Sequence, residues 1–318
     1  MSATLLRTVP PRTVAVTGAT GFVGGPAVGA LIAAGWQVRA LTRRPRDGRS
    51  GLLWVPGDLD NADSLAELMR GADACLHIAG AIKGRDRNAF ASANIDGTRR
   101  VVTTARAAGV RRLVHVSSLA AREPDLSDYS WSKAEAEALV AAKAQGLDWT
   151  VLRPPAVYGP GDKETLSLFR STARGLAPLP GGPTRTSLIH VDDLAAALVA
   201  CLESPALPGV TLEVHDGRPA GYALAELYAL IGAALGKRAL PVTVPRAALR
   251  LAGRANAWAA PLFGVVPMVT PGKVRELLHP DWTSSDDRLT TATGWQPAID
   301  APTGLAATAA WYKAHGWL

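Results

Sequence analysis

Tyr129 and Lys133 stand four residues apart in Tyr129-Ser130-Trp131-Ser132-Lys133. On a helix that spacing stacks both side chains on one face, one turn above the other. A free tyrosine titrates at about 10 and is a poor acid–base group at neutral pH. An ammonium beside it favours the phenolate and lowers that value. Just upstream, Ser117 and Ser118 close the apolar run Leu113-Val114-His115-Val116. A serine hydroxyl facing the pair would polarise a carbonyl oxygen while hydride arrives or leaves. Alone, a Tyr–Lys pair is an ordinary feature of an exposed helix, so its weight depends on the elements around it.

Those elements begin at Thr13-Val14-Ala15-Val16-Thr17-Gly18-Ala19-Thr20-Gly21-Phe22-Val23-Gly24. A buried strand runs into a glycine-rich turn and a helix starts at once, so unpaired N–H groups and the positive helix end face the turn. Gly18 permits the tight turn, Gly21 lets a pyrophosphate approach the backbone and Gly24 lets the helix pack closely. Thr17, Thr20, Phe22 and Val23 belong to the same cofactor-facing turn. A second strand, Val38-Arg39-Ala40-Leu41, ends at Arg43 and Arg44 with no acidic residue. An acid there would accept the ribose 2′-OH of NAD, whereas arginines accommodate the 2′-phosphate of NADP, so NADP(H) is the expected cofactor. Leu52–Val55 reads as a third strand and Asn61–Arg70 as a helix for which Asp58 is a candidate cap. Ala74–Ala79 is a fourth strand, and Ala79 and Gly80 form a small-residue turn against which a flat cofactor can lie. His77, inside that apolar strand, reads as a packed neutral histidine. Alternation of strands and helices through short connections predicts an α/β, doubly wound parallel sheet.

Composition sets the outer bounds. The chain has 318 residues, 48% hydrophobic and 19% charged, which is globular. Cys75 and Cys201 lie far apart without metal-ligand spacing, so a cytoplasmic, disulfide-free protein without a metal site is expected. The formal charge of +7 calls for an anionic partner, met by a phosphate-rich cofactor or an anionic membrane surface. Nucleic acid is not expected, because the basic residues are not interleaved with aromatics.

Taken in order, Gly18/Gly21/Gly24, Asp58, Asn94, Ser118, Tyr129 and Lys133 resemble the short-chain dehydrogenase/reductase family. Asn94-Ile95-Asp96-Gly97-Thr98, Leu152 to Gly161, His190-Val191-Asp192-Asp193-Leu194-Ala195 and Thr293-Gly294-Trp295-Gln296-Pro297 resemble its extended branch. The resemblance implies a Rossmann-type domain with a smaller, mostly helical C-terminal substrate lobe. It implies residues 13–156 with about 186–215 in the cofactor domain, 157–185 and 216–318 in the lobe, and 1–12 as a flexible tail. It also implies a Ser118/Tyr129/Lys133 mechanism aided by Asn94, with Lys133 on the nicotinamide ribose. Asp58 and Leu59 would sit beside the adenine, and Pro154, Ala156 and Val157 would line the cofactor site. A homodimer through Ala134 to Ala144 is carried over from the family.

Within the branch, two sides are open. Nucleotide-sugar epimerases carry an Asn where this chain has Ala156, and an Arg-Asp pair where it has Thr186 and Ser187. These departures, with Arg43 and Arg44, favour a reductase similar to dihydroflavonol reductase and 3β-hydroxysteroid dehydrogenase. A non-catalytic NADP-binding subunit is disfavoured because Tyr129 and Lys133 are both kept. Ala220–Leu235 has a helical pattern, and 256–269 is apolar through Trp258, Leu262, Phe263, Val265, Val266 and Met268. This suits a bulky hydrophobic substrate, a keto-lipid or steroid-like ketone, and equally an ordinary core. Pro261, Gly264 and Pro267 interrupt a run that would need about 20 residues to span a bilayer. With basic flanks, 246–275 is instead read as a peripheral membrane contact, at the inner face of a membrane. The apolar end from Ala301 to Leu318 is expected to pack on the main domain or on a partner subunit.

Overall fold

A computed structural model describes residues 12–259 and 270–318. The tail before Arg12 and most of the apolar segment 256–269 therefore lie outside the described residues. Six strands come first: β1 (Thr13–Thr17), β2 (Gln37–Thr42), β3 (Leu52–Pro56), β4 (Ala74–His77), β5 (Arg112–Val116) and β6 (Asp148–Arg153). Four short ones follow, β7 (Ala156–Tyr158), β8 (Leu176–Pro180), β9 (Arg185–Thr186) and β10 (Leu188–His190), before β11 (Val210–Glu213). The main sheet has the order β11-β6-β5-β4-β1-β2-β3, and every pairing in it is parallel. Buried on both faces, such strands need continuous apolar runs, and β4 and β5 are buried at every position. Strand order reverses between β1 and β4, where open α/β sheets bind ligands.

Helices cover both faces. Val28 and Leu31 of α1 (Gly24–Ala33) share one core with Leu194 and Leu198 of a helix over Val191–Glu203. The other core gathers Leu65 and Leu68 of α2 (Ala62–Met69). It also takes Val101 of the Gly97–Ala107 helix and Val140 of the Asp128–Lys143 helix. In chain order these are α4 and α5, after the short α3 (Arg87–Phe90); α6 is Leu166–Ala173 and Val191–Glu203 is α7. The helix expected to open at Asn94 starts earlier, at Asp86, whose carboxylate caps it at the Ala89 N–H. It then widens into a π-helical turn over Ala91–Asp96, a distortion that often marks a functional position. Asn61, not Asp58, caps α2: its side chain accepts the Ser64 N–H, while Asp58 Oδ1 accepts from Asp60 and Asn61 in the preceding turn.

The smaller lobe is mostly helical, as expected, with short strands between its helices. It holds β12 (Tyr222–Ala223), β13 (Leu240–Val244) and β14 (Asp281–Trp282). Its helices are α8 (Leu224–Leu235), α9 (Arg246–Ala259) and α10 (Pro271–Leu278), with a last helix at Ala301–Ala314 that follows α11 (Arg288–Thr293). The strands pair as β10-β7, β12-β9-β14 and β13-β8. They are too short for periodicity, and β8 and β13 contain prolines, which read against strands. The last helix, α12, packs inside this lobe: Leu305, Ala309 and Tyr312 join Tyr158, Phe169 and Ile231 in its core. A Cβ at Gly304 would lie 2.4 Å from the Tyr158 hydroxyl, so only glycine permits that closeness.

Candidate active site

A cleft of about 1080 Å³ opens at the β1/β4 switch point. Its first wall is the glycine turn. Gly18 has φ +77, and a Cβ there would meet the Ala79 nitrogen at 2.6 Å. A Cβ at Gly24 would meet the Gly18 carbonyl oxygen at 2.0 Å. Bare backbone thus lies against the cleft, and no side chain caps the N-terminus of α1 at Val23. A pyrophosphate fits such a cradle, its charge met by backbone N–H groups and the helix dipole. Thr20, Gly21, Phe22 and Val23 line the same wall, Arg43 stands at the end of β2, and Asp58 and Leu59 follow β3.

The reacting end lies further along. Ser118 follows β5, and Tyr129 and Lys133 sit on α5, which starts from the Ser127 cap. Ser118 and Tyr129 line the cleft together, the Ser118 hydroxyl beside the phenol and accepting the Ala120 N–H at 3.2 Å. Ser117 is turned away, donating its hydroxyl to Glu137. Glu137 also receives Arg153, whose Nε and Nη2 donate at 2.9 and 2.6 Å. Of the two serines, Ser117 thus has its hydroxyl engaged away from the tyrosine, and Ser118 is the one beside it. Lys133 Nζ is buried and donates to the Val116 carbonyl at 2.8 Å.

The electrostatics differ from the expectation that Lys133 pulls the tyrosine down. Burial pushes the half-buried Tyr129 up to about 12, against the downward pull of the Ser118 hydrogen bond, and the carboxylates of Glu276 and Glu164 push it further up. Burial thus holds the phenol protonated, while Lys133 gives one of its N–H groups to a backbone carbonyl. Burial brings Lys133 itself down to about 8, opposed by Glu137.

Among the residues singled out from the sequence, Thr17, Arg44 and Asn94 do not line the cleft. Thr17 hydrogen-bonds His77 Nδ1 at 2.6 Å, and His77 Nε2 meets Thr98 at 2.9 Å. Burial and the nearby Lys133 charge lower His77 to about 3, so it is the packed neutral histidine expected. Arg44 is exposed beyond the turn at Thr42. Asn94 stands behind the wall, accepting the Ala81 N–H at 2.7 Å and donating to the Ala81 carbonyl and Ser132. It shapes the floor beside Gly80, where a Cβ would come within 3.0 Å of its side-chain oxygen. Ala79, Gly80, Pro154, Ala156 and Val157 all line the cleft.

The smaller lobe supplies a further wall that no motif in the sequence marks: Glu164, Lys273, Glu276 and Trp282. Glu276 is buried and accepts from the hydroxyls of Ser127 and Ser130, while Lys273 donates to its other oxygen at 3.1 Å. It thereby ties α10 to the start of the helix that carries Tyr129. Ser127 and Glu276 are 149 residues apart, so no local signal marks the contact. Glu137 was findable: it follows Lys133 by four residues, extending the Tyr129/Lys133 stripe. Among the described residues no cluster of ligands is arranged for a metal ion.

Residues 14–211 match the NAD dependent epimerase/dehydratase family. The ceramide reductase of Caulobacter vibrioides is 41% identical over 96% of both chains. The UDP-glucose 4-epimerase of Vibrio cholerae is 27% identical over 94% of this chain and 95% of its own. The crystal structure of gox2253 superposes with a TM-score of 0.78 at 25% identity, covering 97% of this chain and 99% of that one. The chain belongs to the NAD dependent epimerase/dehydratase family, the extended branch of the nicotinamide-cofactor-binding short-chain dehydrogenases/reductases.

Proposed function

We propose that the protein is an NADP(H)-dependent oxidoreductase that reduces the ketone of a bulky apolar substrate, a keto-lipid, to a secondary alcohol. The observation that carries this reading is the convergence of the Tyr129 hydroxyl, its partner Ser118 and the Lys133 ammonium on one cleft with the glycine turn. When bound, the nicotinamide supplies the hydride. The protein's own part is positional and protic. Ser118 and Tyr129 direct their hydroxyls at the carbonyl oxygen, and Tyr129 gives it a proton as the carbon is reduced. Lys133 balances the phenolate left behind and holds the cofactor ribose.

The substrate class is supported by the alignment of nearly the whole chain with a ceramide reductase. Ala156 and Thr186 line the cleft where epimerases place polar groups toward a sugar diphosphate, which favours an apolar ketone over a nucleotide sugar. We assign residues 13–156 and about 186–215 to the cofactor and the remaining C-terminal segments to the substrate. A cytoplasmic homodimer through the outward residues of α5, Glu135, Ala138, Ala141 and Ala142, completes the reading.

NADP selection rests on Arg43, which lines the cleft at the end of β2, with the exposed Arg44 beside it. Fluorescence titration with NADPH and NADH tests it. The expected result is tighter binding of NADPH, lost by at least tenfold in Arg43→Glu with NADH binding unchanged. Equal affinity for both cofactors in the unaltered protein would overturn the assignment.

A further inference from the structure

Between Glu226 and Glu276 the chain holds no acidic residue, yet it holds seven basic ones, from Lys237 to Arg275. Of the 34 basic residues, taking away these seven leaves 27, equal to the 27 acidic ones. The whole formal charge of +7 thus belongs to this stretch.

The structure lays part of the stretch out as surface. Along α9, Gly253 is buried and Leu249, Asn256 and Ala257 are half-buried, with a Cβ at Gly253 only 2.9 Å from Val274 of α10. At 3.6 residues per turn the opposite side carries Ala247, Leu251, Arg254 and Trp258, with Arg250 at its flank. Leu251 is 69% exposed and Trp258 76%. Just before α9, β13 shows Leu240 and Val242 to solvent, two residues apart and so on one side of the strand. Leu176 of β8 pairs with Leu240 and is exposed with it. One exposed leucine is ordinary. Four aliphatic side chains and a tryptophan are thus exposed together with Lys237, Arg238, Arg250 and Arg254, on the β8/β13 pair and on α9, whose first residue, Arg246, bonds the Gly181 carbonyl just beyond β8.

We infer that this face, the outer side of α9 with the exposed surface of β8 and β13, docks the protein on a lipid bilayer carrying anionic headgroups. Leucine and tryptophan side chains enter the headgroup boundary while the arginines meet the lipid phosphates. A second copy of the chain fits worse, because two such faces would oppose like charges. Nucleic acid would meet the arginines and leave the aliphatic side chains without a partner. Among the described residues no helix is long and apolar enough to cross a membrane, so the helix lies on the surface. Farther along the chain, α10 carries Lys273 and Glu276 into the cleft, so the docking face and the site belong to one lobe.

The test is co-sedimentation of the full-length protein with phosphatidylcholine vesicles, with and without phosphatidylglycerol. It contains neither cofactor nor ketone, so its failure is separate from any failure of the reductase reading. The expected result is at least tenfold tighter binding to the anionic vesicles, weakening as salt rises. Leu251→Glu and Trp258→Glu should each lower that affinity at least tenfold, and the paired Arg250→Ser/Arg254→Ser variant should flatten the salt dependence. Leu53→Glu, at a comparably exposed leucine on β3, should bind as the unaltered protein does. Equal or absent binding to the two vesicle types would overturn the proposal. So would α9 variants that bind normally, or a homodimer that Leu251→Glu dissociates.

Discussion

The two walls of the cleft are built by opposite means. The cofactor wall is mostly backbone: a glycine turn, the small-residue turn at Ala79 and Gly80, and the ends of β2 and β3. The substrate wall is made of side chains, Glu164, Lys273, Glu276 and Trp282, from short elements far apart in sequence. Between them Tyr129, Ser118 and Lys133 stand on a long helix and a buried strand. On the proposed reading, the chemistry is held by the elements with the strongest local signals, and the substrate is read by the elements with the weakest. Swapping side chains on the second wall leaves the first untouched, which lets one scaffold serve many substrates.

Substitutions can sharpen or break that division. Tyr129→Phe removes the proton donor and should lower turnover roughly a hundred- to ten-thousand-fold, leaving NADPH affinity within a factor of a few in a titration. Gly24→Ala should show the reverse pattern. Its Cβ would press on the Gly18 carbonyl, so dinucleotide binding should fall at least tenfold and the melting temperature should drop. If Gly24→Ala kept full cofactor affinity, the backbone-cradle account of the first wall would fail.

Glu276→Gln is a milder probe of the second wall. The amide keeps the shape but removes the negative charge that raises Tyr129. In alcohol oxidation, where the phenolate is the active form, the apparent pKa of the tyrosine should shift down. An unmoved pH profile would make Glu276 a structural tie only.

The smallest effects concern pH. Lys133, lowered to about 8, carries its proton below that value and loses it above. The rate of ketone reduction should therefore decline as pH rises through about 8. His77 is lowered to about 3 in the fold, against about 6.5 when unfolded. Below about pH 6.5 the unfolded chain binds a proton that the folded one does not, so stability should fall progressively towards pH 3. Melting temperatures across that window measure it, and His77→Gln should flatten part of the slope. His115, which burial, the Lys133 charge and His77 lower well below its ordinary value, adds to the same trend.

Most of the first wall was legible because each feature is local. Gly18, Gly21 and Gly24 follow one strand, and Tyr129 and Lys133 share one helix face. The main-sheet strands were readable because parallel burial forces apolar runs such as Leu113–Val116. Asn94 was found by resemblance, but its engagement with Ala81 depends on the π-helical turn, which leaves no sequence mark. Glu276 was invisible because its partners lie on another lobe, and the two-residue strands β9, β12 and β14 are too short to show a period. The expectation that Lys133 lowers Tyr129 failed for a related reason. Burial is the largest influence on the phenol and raises it, and how deeply a side chain is buried leaves no mark in local spacing.

The central claim is that this cleft reduces an apolar ketone with a proton from Tyr129. The most direct test is to follow NADPH oxidation by the purified protein against a long-chain keto-lipid, a steroid ketone and a 4-keto nucleotide sugar. The account predicts turnover of an apolar ketone, the keto-lipid above all, and its loss in Tyr129→Phe. Turnover of the nucleotide sugar alone, or keto-lipid reduction that survives Tyr129→Phe, would contradict it.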